Sequence, residues 1–178
     1  MKACDGCALC CKVLSVEELR KPACKWCAEI KRSEHGRSCG IYEARPESCR
    51  IFQCMWLLDE KMQPGLRPDR CHVVFAMDDY LNGPYDPAKP RLYAMVDPDW
   101  PNAWRVGLPR LVIQTMRERG GAVIVNVGSW WRHYHDGVWD EGDDEIALGE
   151  SLRMFRRSTL LPPGFPDPIL DFDELMRR

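Results

Sequence analysis

Apolar positions are spaced differently in the two halves of this chain. Beyond residue 70 they come in short, dense runs. Residues 71–77, 92–96 and 122–127 are rich in Val, Ile, Leu, Met and aromatic side chains, and each run has the length of a strand. Asn82-Gly83-Pro84 and Asp86-Pro87 mark a loop between the first two. Pro109 opens a predicted helix that Gly120 closes, with Leu111, Val112, Thr115 and Met116 on one side. Residues 129–135 and the stretch from Val138 onward form a predicted hairpin about Asp136-Gly137. The acidic residues 140–145 read as a solvated loop, and residues 161–166 as an extended segment leading to a short C-terminal helix.

The first 60 residues carry no sustained period. Val13, Leu14, Val16 and Leu19 provide a short helix or strand before Pro22, and the polar residues 33–38 read as a loop. Pro46 at a first helical position, with Glu47 behind it, predicts a helix start that puts Cys49 in the first turn and runs on through Met55, Trp56, Leu57 and Leu58. Residues 63–68 are turn chemistry. The predicted fold class is α+β: an irregular Cys-rich module over 1–60, packed on a small, mainly antiparallel sheet with a few helices over 61–150. A tail follows over 151–178, and the whole forms one compact domain.

Cysteine changes the picture most. Nine of the ten cysteines lie before residue 55: Cys4, Cys7, Cys10, Cys11, Cys24, Cys27, Cys39, Cys49 and Cys54, with Cys71 further on. A chain of 178 residues can bury a core without covalent staples. No charged-then-apolar leader precedes Cys4, and no apolar run nears the roughly 18 residues that span a bilayer. The expected location is therefore the cytoplasm, with no membrane partner, where thiols stay reduced and metal binding is favoured over disulfides.

Cys4/Cys7 and Cys24/Cys27 are C-x-x-C pairs, able to put two sulfurs on one ion at about 2.3 Å for zinc. The vicinal Cys10 and Cys11 are expected to project differently and to serve different ions or opposite sides of a cluster. Cys4, Cys7, Cys10, Cys11, Cys27, Cys39, Cys49 and Cys54 make eight candidate ligands, enough for two four-thiolate sites. Cys24, Cys71 and His35 are further candidates, although Cys71 also reads as a small buried hydrophobe and His35 as a solvated loop residue.

Residues 1–54 hold ten Lys/Arg against seven Asp/Glu, a local balance of +3, which leaves −5 for the remainder of a chain whose net charge is −2. Lys2, Lys12, Lys25, Arg45 and Arg50 lie near the cysteines in sequence and would favour their thiolate forms. With no basic helix and no aromatic stripe, nucleic acid is not an expected partner; a protein partner is open. Trp131, His133 and His135 share an expected strand face and, like His72, read as surface or packing residues. No phosphate-binding Gly-rich loop, G-x-S-x-G or H-E-x-x-H motif is present, and no catalytic constellation stands out.

The pattern Cys4-x-x-Cys7-x-x-Cys10-Cys11, with Cys39-Gly40-Ile41-Tyr42 and Arg45-Pro46-x-x-Cys49-Arg50-x-Phe52-x-Cys54, resembles the CxxCxxCC proteins. These are small bacterial cysteine-cluster proteins described as zinc- or iron-chelating. The resemblance covers the first third of the chain and implies a metal-chelating module without an established reaction. A similar cysteine pattern in the larger flagellin lysine N-methylases raises an enzyme reading. Two structural zinc ions are the favoured cofactors, and iron or an iron–sulfur cluster is the alternative. The ferredoxin run places its fourth cysteine three residues on, followed by Pro, and this chain does neither.

Overall fold

A computed structural model describes residues 4, 6–34, 36–78, 91–128, 130–135 and 138–143. The loop expected around Asn82 to Pro87, the hairpin turn Asp136-Gly137, the tail over 151–178 and His35 lie outside these residues.

The body is a five-stranded sheet in sequence order: β3 (Val73–Asp78), β4 (Arg91–Val96), β5 (Ala122–Val127), β6 (Trp130–His135) and β7 (Val138–Asp143). Every neighbouring pair is antiparallel except β4 and β5, which run parallel. A parallel pair needs a crossover, and α5 (Gly107–Glu118) supplies it. The fold class is α+β.

Strands β3, β4 and β5 are buried on both faces, so they read as continuous apolar runs. Val73, Phe75, Leu92, Ala94, Val96, Val123 and Val125 face α5 and pack against its Val112, Ile113 and Met116. Val74, Ala76, Tyr93 and Met95 point the other way and pack against Leu9 and Val13 of the cysteine module. The sheet is thus the middle layer, with α5 on one side and the module on the other.

Several expectations need correction. Leu111 of α5 is exposed; its place in the buried stripe is taken by Ile113, three residues before Met116. Gly107 begins that helix two residues before Pro109, and Gly120 ends it in the left-handed conformation at φ +76°. Cys71 closes a short helix, α4 (Pro68–Cys71), instead of opening β3. The acidic residues 140–143 continue β7, pairing with β6, where a loop was expected.

The module is built from small pieces. α1 (Cys10–Val13) is one turn, and a 3₁₀ turn follows at Glu17–Leu19. β1 (Ile30–Ser33) and β2 (Gly36–Cys39) form a two-stranded hairpin where residues 33–38 suggested only a loop. α2 (Glu47–Ile51) and α3 (Met55–Leu58) are separate helices, because Phe52 and Cys54 are extended between them. Pro46 is the cap residue of α2 and Glu47 its first helical residue, one position later than predicted.

Candidate metal centre

The module's turns bring the cysteines round a common space. The backbone N–H of Cys7 donates to Cys4 O at 3.0 Å, closing the first C-x-x-C turn. Cys10 and Cys11 open α1, and Cys27 N–H donates to Cys11 O at 3.1 Å, tying the second C-x-x-C segment to that helix. Cys39 ends β2, whose partner strand carries the chain away from Cys27. Gly36, at φ +119°, lies so close to Gly6 that an added Cβ would sit 2.6 Å from Gly6 O; this approach seats the hairpin against the Cys4–Cys7 turn. Cys49 is in the first turn of α2, whose N-terminal end is held from outside. There Glu18 accepts from Ser48 Oγ at 2.9 Å and from Ser48 N–H at 3.3 Å. Cys54 caps α3 and is buried.

Cys4, Cys7, Cys10, Cys11, Cys27, Cys39, Cys49 and Cys54 line a single cavity of about 390 Å³, with Leu14, Leu19, Ile41, Phe52 and Leu57 in its apolar wall. The other two cysteines do not line it. Cys24 is in the left-handed conformation at φ +61°, its backbone N–H donating to Val13 O at 3.3 Å at the end of α1. Cys71 is buried in the core beside α5, its thiol donating to Val73 O at 3.3 Å. His35, the remaining candidate, lies outside the described residues.

Electrostatics inside the cavity follow from burial and proximity. Burial pushes the Cys54 thiol up to about 12, helped by neighbouring Cys4 and Cys7, and pushes Cys7 to about 11. Cys10 and Cys11, adjacent at the start of α1, influence each other strongly. Donation from the Cys10 thiol holds Cys11 down at about 7 against the pull of burial, and Lys21 and Arg45 add to the effect. The same bond raises Cys10 well above the ordinary thiol range, with burial and then Cys11, Cys54 and Cys4 contributing. Cys39 and Cys49 are both raised, by burial first, and both feel Cys11 and Cys27.

Lys21 is a buried cation beside the thiols that sequence proximity did not single out. Its ammonium donates to Lys12 O, Leu14 O and Pro22 O, closing the C-terminal end of α1 while facing the thiols. In sequence it follows Arg20 in a mixed charged stretch with Glu17 and Glu18, which gives no sign of burial. Arg45 also lines the cavity, fixed by Nε donation to Tyr42 O at 2.7 Å and by stacking on the Tyr42 ring. Lys12, expected among the thiolate-favouring cations, instead joins module to sheet. Burial lowers its pKa, but bonds to Asp97 and Asp99 outweigh this and leave it above the ordinary value. Of the other cations, Lys2 lies outside the described residues, and Lys25 and Arg50 are exposed.

Among the described residues, no three Cys, His, Asp or Glu side chains converge tightly enough to grip one ion as they stand. The sulfurs ring the cavity wall. As a donor set they fit a thiophilic metal in number, in kind and in the cations set beside them. Among the described residues, no helix is long and apolar enough to cross a membrane. Comparisons with protein-family models, with curated proteins and with solved structures found no match.

Proposed function

We propose that this cavity is a metal-binding centre, and that the protein works through it as a zinc-binding module with a structural, partner-binding or metal-handling role. The observation that carries this reading is the sorting of the cysteines: eight line one cavity, whereas Cys24 and Cys71 lie outside it, Cys71 donating to Val73 O. Eight thiolates satisfy two tetrahedral zinc ions. The resemblance to the CxxCxxCC proteins points the same way.

The neighbour relations suggest how the ligands divide. Cys4 and Cys7 share a turn, and Cys10 and Cys54 pack in the same apolar cluster. Cys27 is bonded to the backbone of Cys11, and Cys39 and Cys49 both lie near that pair. One ion would take Cys4, Cys7, Cys10 and Cys54, and the other Cys11, Cys27, Cys39 and Cys49. The adjacent Cys10 and Cys11 then link the two sites. Thiols raised by burial must lose protons to bind metal, so loading releases protons and strengthens with pH.

A second reading, an iron–sulfur cluster in electron transfer or as part of an enzyme, is favoured by one feature. The thiols share one continuous cavity of about 390 Å³, with room for inorganic sulfide beside the metal.

The test is anaerobic purification of the untagged protein, with zinc, iron and acid-labile sulfide measured per chain beside the visible spectrum. About two colourless zinc ions support the proposal. Iron with matching sulfide and absorption near ~400 nm supports the cluster. A protein with no stoichiometric metal and freely titratable thiols ends both. With zinc present, Cys54→Ser and Cys39→Ser should each reduce the content to about one ion, whereas loss of all metal from either variant would reject the division.

A further inference from the structure

Cys24-x-x-Cys27 straddles the boundary of the cysteine cavity. Cys4 and Cys7, and Cys7 and Cys10, have the same spacing, and in those pairs both thiols line the cavity. In the 24–27 pair Cys27 lines it and Cys24 does not. A spare thiol therefore stands three residues from a candidate ligand.

Neither ordinary structural role accounts for Cys24. A cysteine used as a small hydrophobe is buried, as Cys71 is, but Cys24 is partly exposed and is followed by the exposed Lys25 and Trp26. A residue needed only for the left-handed turn at φ +61° would be better served by glycine, which has no Cβ to crowd the backbone. The chain instead holds a thiol there against the preference of its own backbone.

The fold keeps the pair on one support. Cys24 N–H donates to Val13 O at 3.3 Å and Cys27 N–H to Cys11 O at 3.1 Å, so both ends of the C-x-x-C segment are pinned to the single turn of α1. Lys21, held by Lys12 O at 3.1 Å and Pro22 O at 2.9 Å, presents one buried ammonium to both thiols. A fixed positive charge of this kind favours anionic sulfur and steadies an oxygen that leaves with negative charge.

We propose that Cys24 is the resolving thiol of a redox switch that takes Cys27 out of the metal centre. The inference rests on the metal reading above, in which Cys27 shares an ion with Cys11, Cys39 and Cys49. The Cys27 thiolate attacks a hydroperoxide: an S–O bond forms, the O–O bond breaks and an alkoxide leaves, or hydroxide when the oxidant is hydrogen peroxide. The Cys24 thiol then attacks the sulfur of the Cys27 sulfenic acid, forming the S–S bond and releasing water that carries away the thiol proton. Two electrons pass from the sulfurs to the peroxide, and the ion loses one of its four ligands. A thiol reductant reopens the disulfide and restores the site.

The test is exposure of the zinc-loaded, full-length protein to hydrogen peroxide, with released zinc followed by a metal indicator and disulfides mapped by mass spectrometry. The expected result is a Cys24–Cys27 disulfide, release of about one zinc ion per chain, and return of that ion when a thiol reductant is added. Cys24→Ser should hold the full complement of zinc before treatment. With peroxide in excess it should then carry Cys27 as sulfinic acid, and its zinc should not return on reduction. Cys24→Gly suits the left-handed turn, should behave in the same way, and keeps the test decisive if the serine variant fails to fold. Zinc release that is equally reversible in both variants overturns the proposal, as does a disulfide that joins other cysteines. Low zinc content in both untreated variants also overturns it, making Cys24 a ligand. A Cys24–Cys27 disulfide with all zinc retained overturns the switch and leaves the metal reading standing, whereas a chain purified without metal overturns both.

Discussion

The sheet body and the cysteine module are held together by different physics. In the body, Val73, Leu92, Val112, Val123 and Val125 have no exposed surface, and six-residue strands give each other a ladder of hydrogen bonds. In the module the helices are four or five residues long and the hairpin strands four. Elements that short do not persist alone in water. Their stability comes from single devices: the glutamate at the start of α2, the lysine at the end of α1, the apolar contact with the sheet, and the ring of thiols. Burial of apolar surface is enough for the body. The module relies on polar contacts and, under the proposed function, on coordinate bonds, each of which can be removed one at a time.

Metal removal is the largest break in that contrast. Structural zinc sites carry apparent free energies of about 10–16 kcal/mol near neutral pH, so chelation under reducing conditions should melt the module and spare the body. Hydrogen exchange then shows amides over 10–58 losing protection while those of β3, β4 and β5 keep it. Loss spread evenly across the chain would mean that the two regions form one cooperative unit.

The next largest effect is expected at the joint. Lys12 and Asp97 are both buried, and the pair bridges α1 to the end of β4 at 2.5 Å. Lys12→Met strands a buried carboxylate, with the Asp99 N–H at 3.1 Å and His72 Nδ1 at 3.6 Å beside it, and should cost about 3–5 kcal/mol in urea unfolding. A loss below about 1 kcal/mol would mean that Asp97 finds solvent and that the joint is held by its apolar contacts.

The smallest effect lies in the body. Cys71→Ala should cost about 1 kcal/mol, because it removes the donation to Val73 O from a packed site. Burial pushes this thiol up to about 12 from an ordinary value of 9.0. A folded-state value above the unfolded one favours the protonated form, so the contribution is complete below pH 9 and fades as pH rises toward 12. The urea-midpoint advantage of the natural chain over Cys71→Ala should therefore shrink above about pH 9. A constant difference would place the effect in packing alone.

How readily each region can be read from sequence follows the same division. β4 and β5 were legible because strands buried on both faces leave continuous apolar runs, and the β6–β7 pairing was marked by Asp136-Gly137 between aromatic stretches. The β1–β2 hairpin was not. Its Lys31, Arg32, Arg37 and Ser38 face outward or sit at the rim, so no apolar alternation records it. The break between α2 and α3 was hidden because Ile51, Phe52, Met55 and Trp56 keep an apolar rhythm across it. Within the cavity, cysteine spacing announced the thiols but not Lys21, whose role depends on three carbonyls that only the fold brings together. A cleft beside α5 left no linear trace at all. Its Arg105, Arg117, Arg132 and Trp139 are each ordinary in sequence and become a group only through the α5 crossover and the final hairpin.

The placement of the module over the second face of the sheet has a consequence for the life of the chain in the cell. Leu9 and Val13 shield Val74, Tyr93 and Met95, and they do so from the segment that carries the thiols. A chain whose cysteines are oxidised or starved of metal would uncover a flat apolar strand surface, the kind that chaperones hold and proteases clear. Under the proposed function, abundance of the protein should then follow metal supply even when synthesis is constant, so that only metal-loaded chains accumulate.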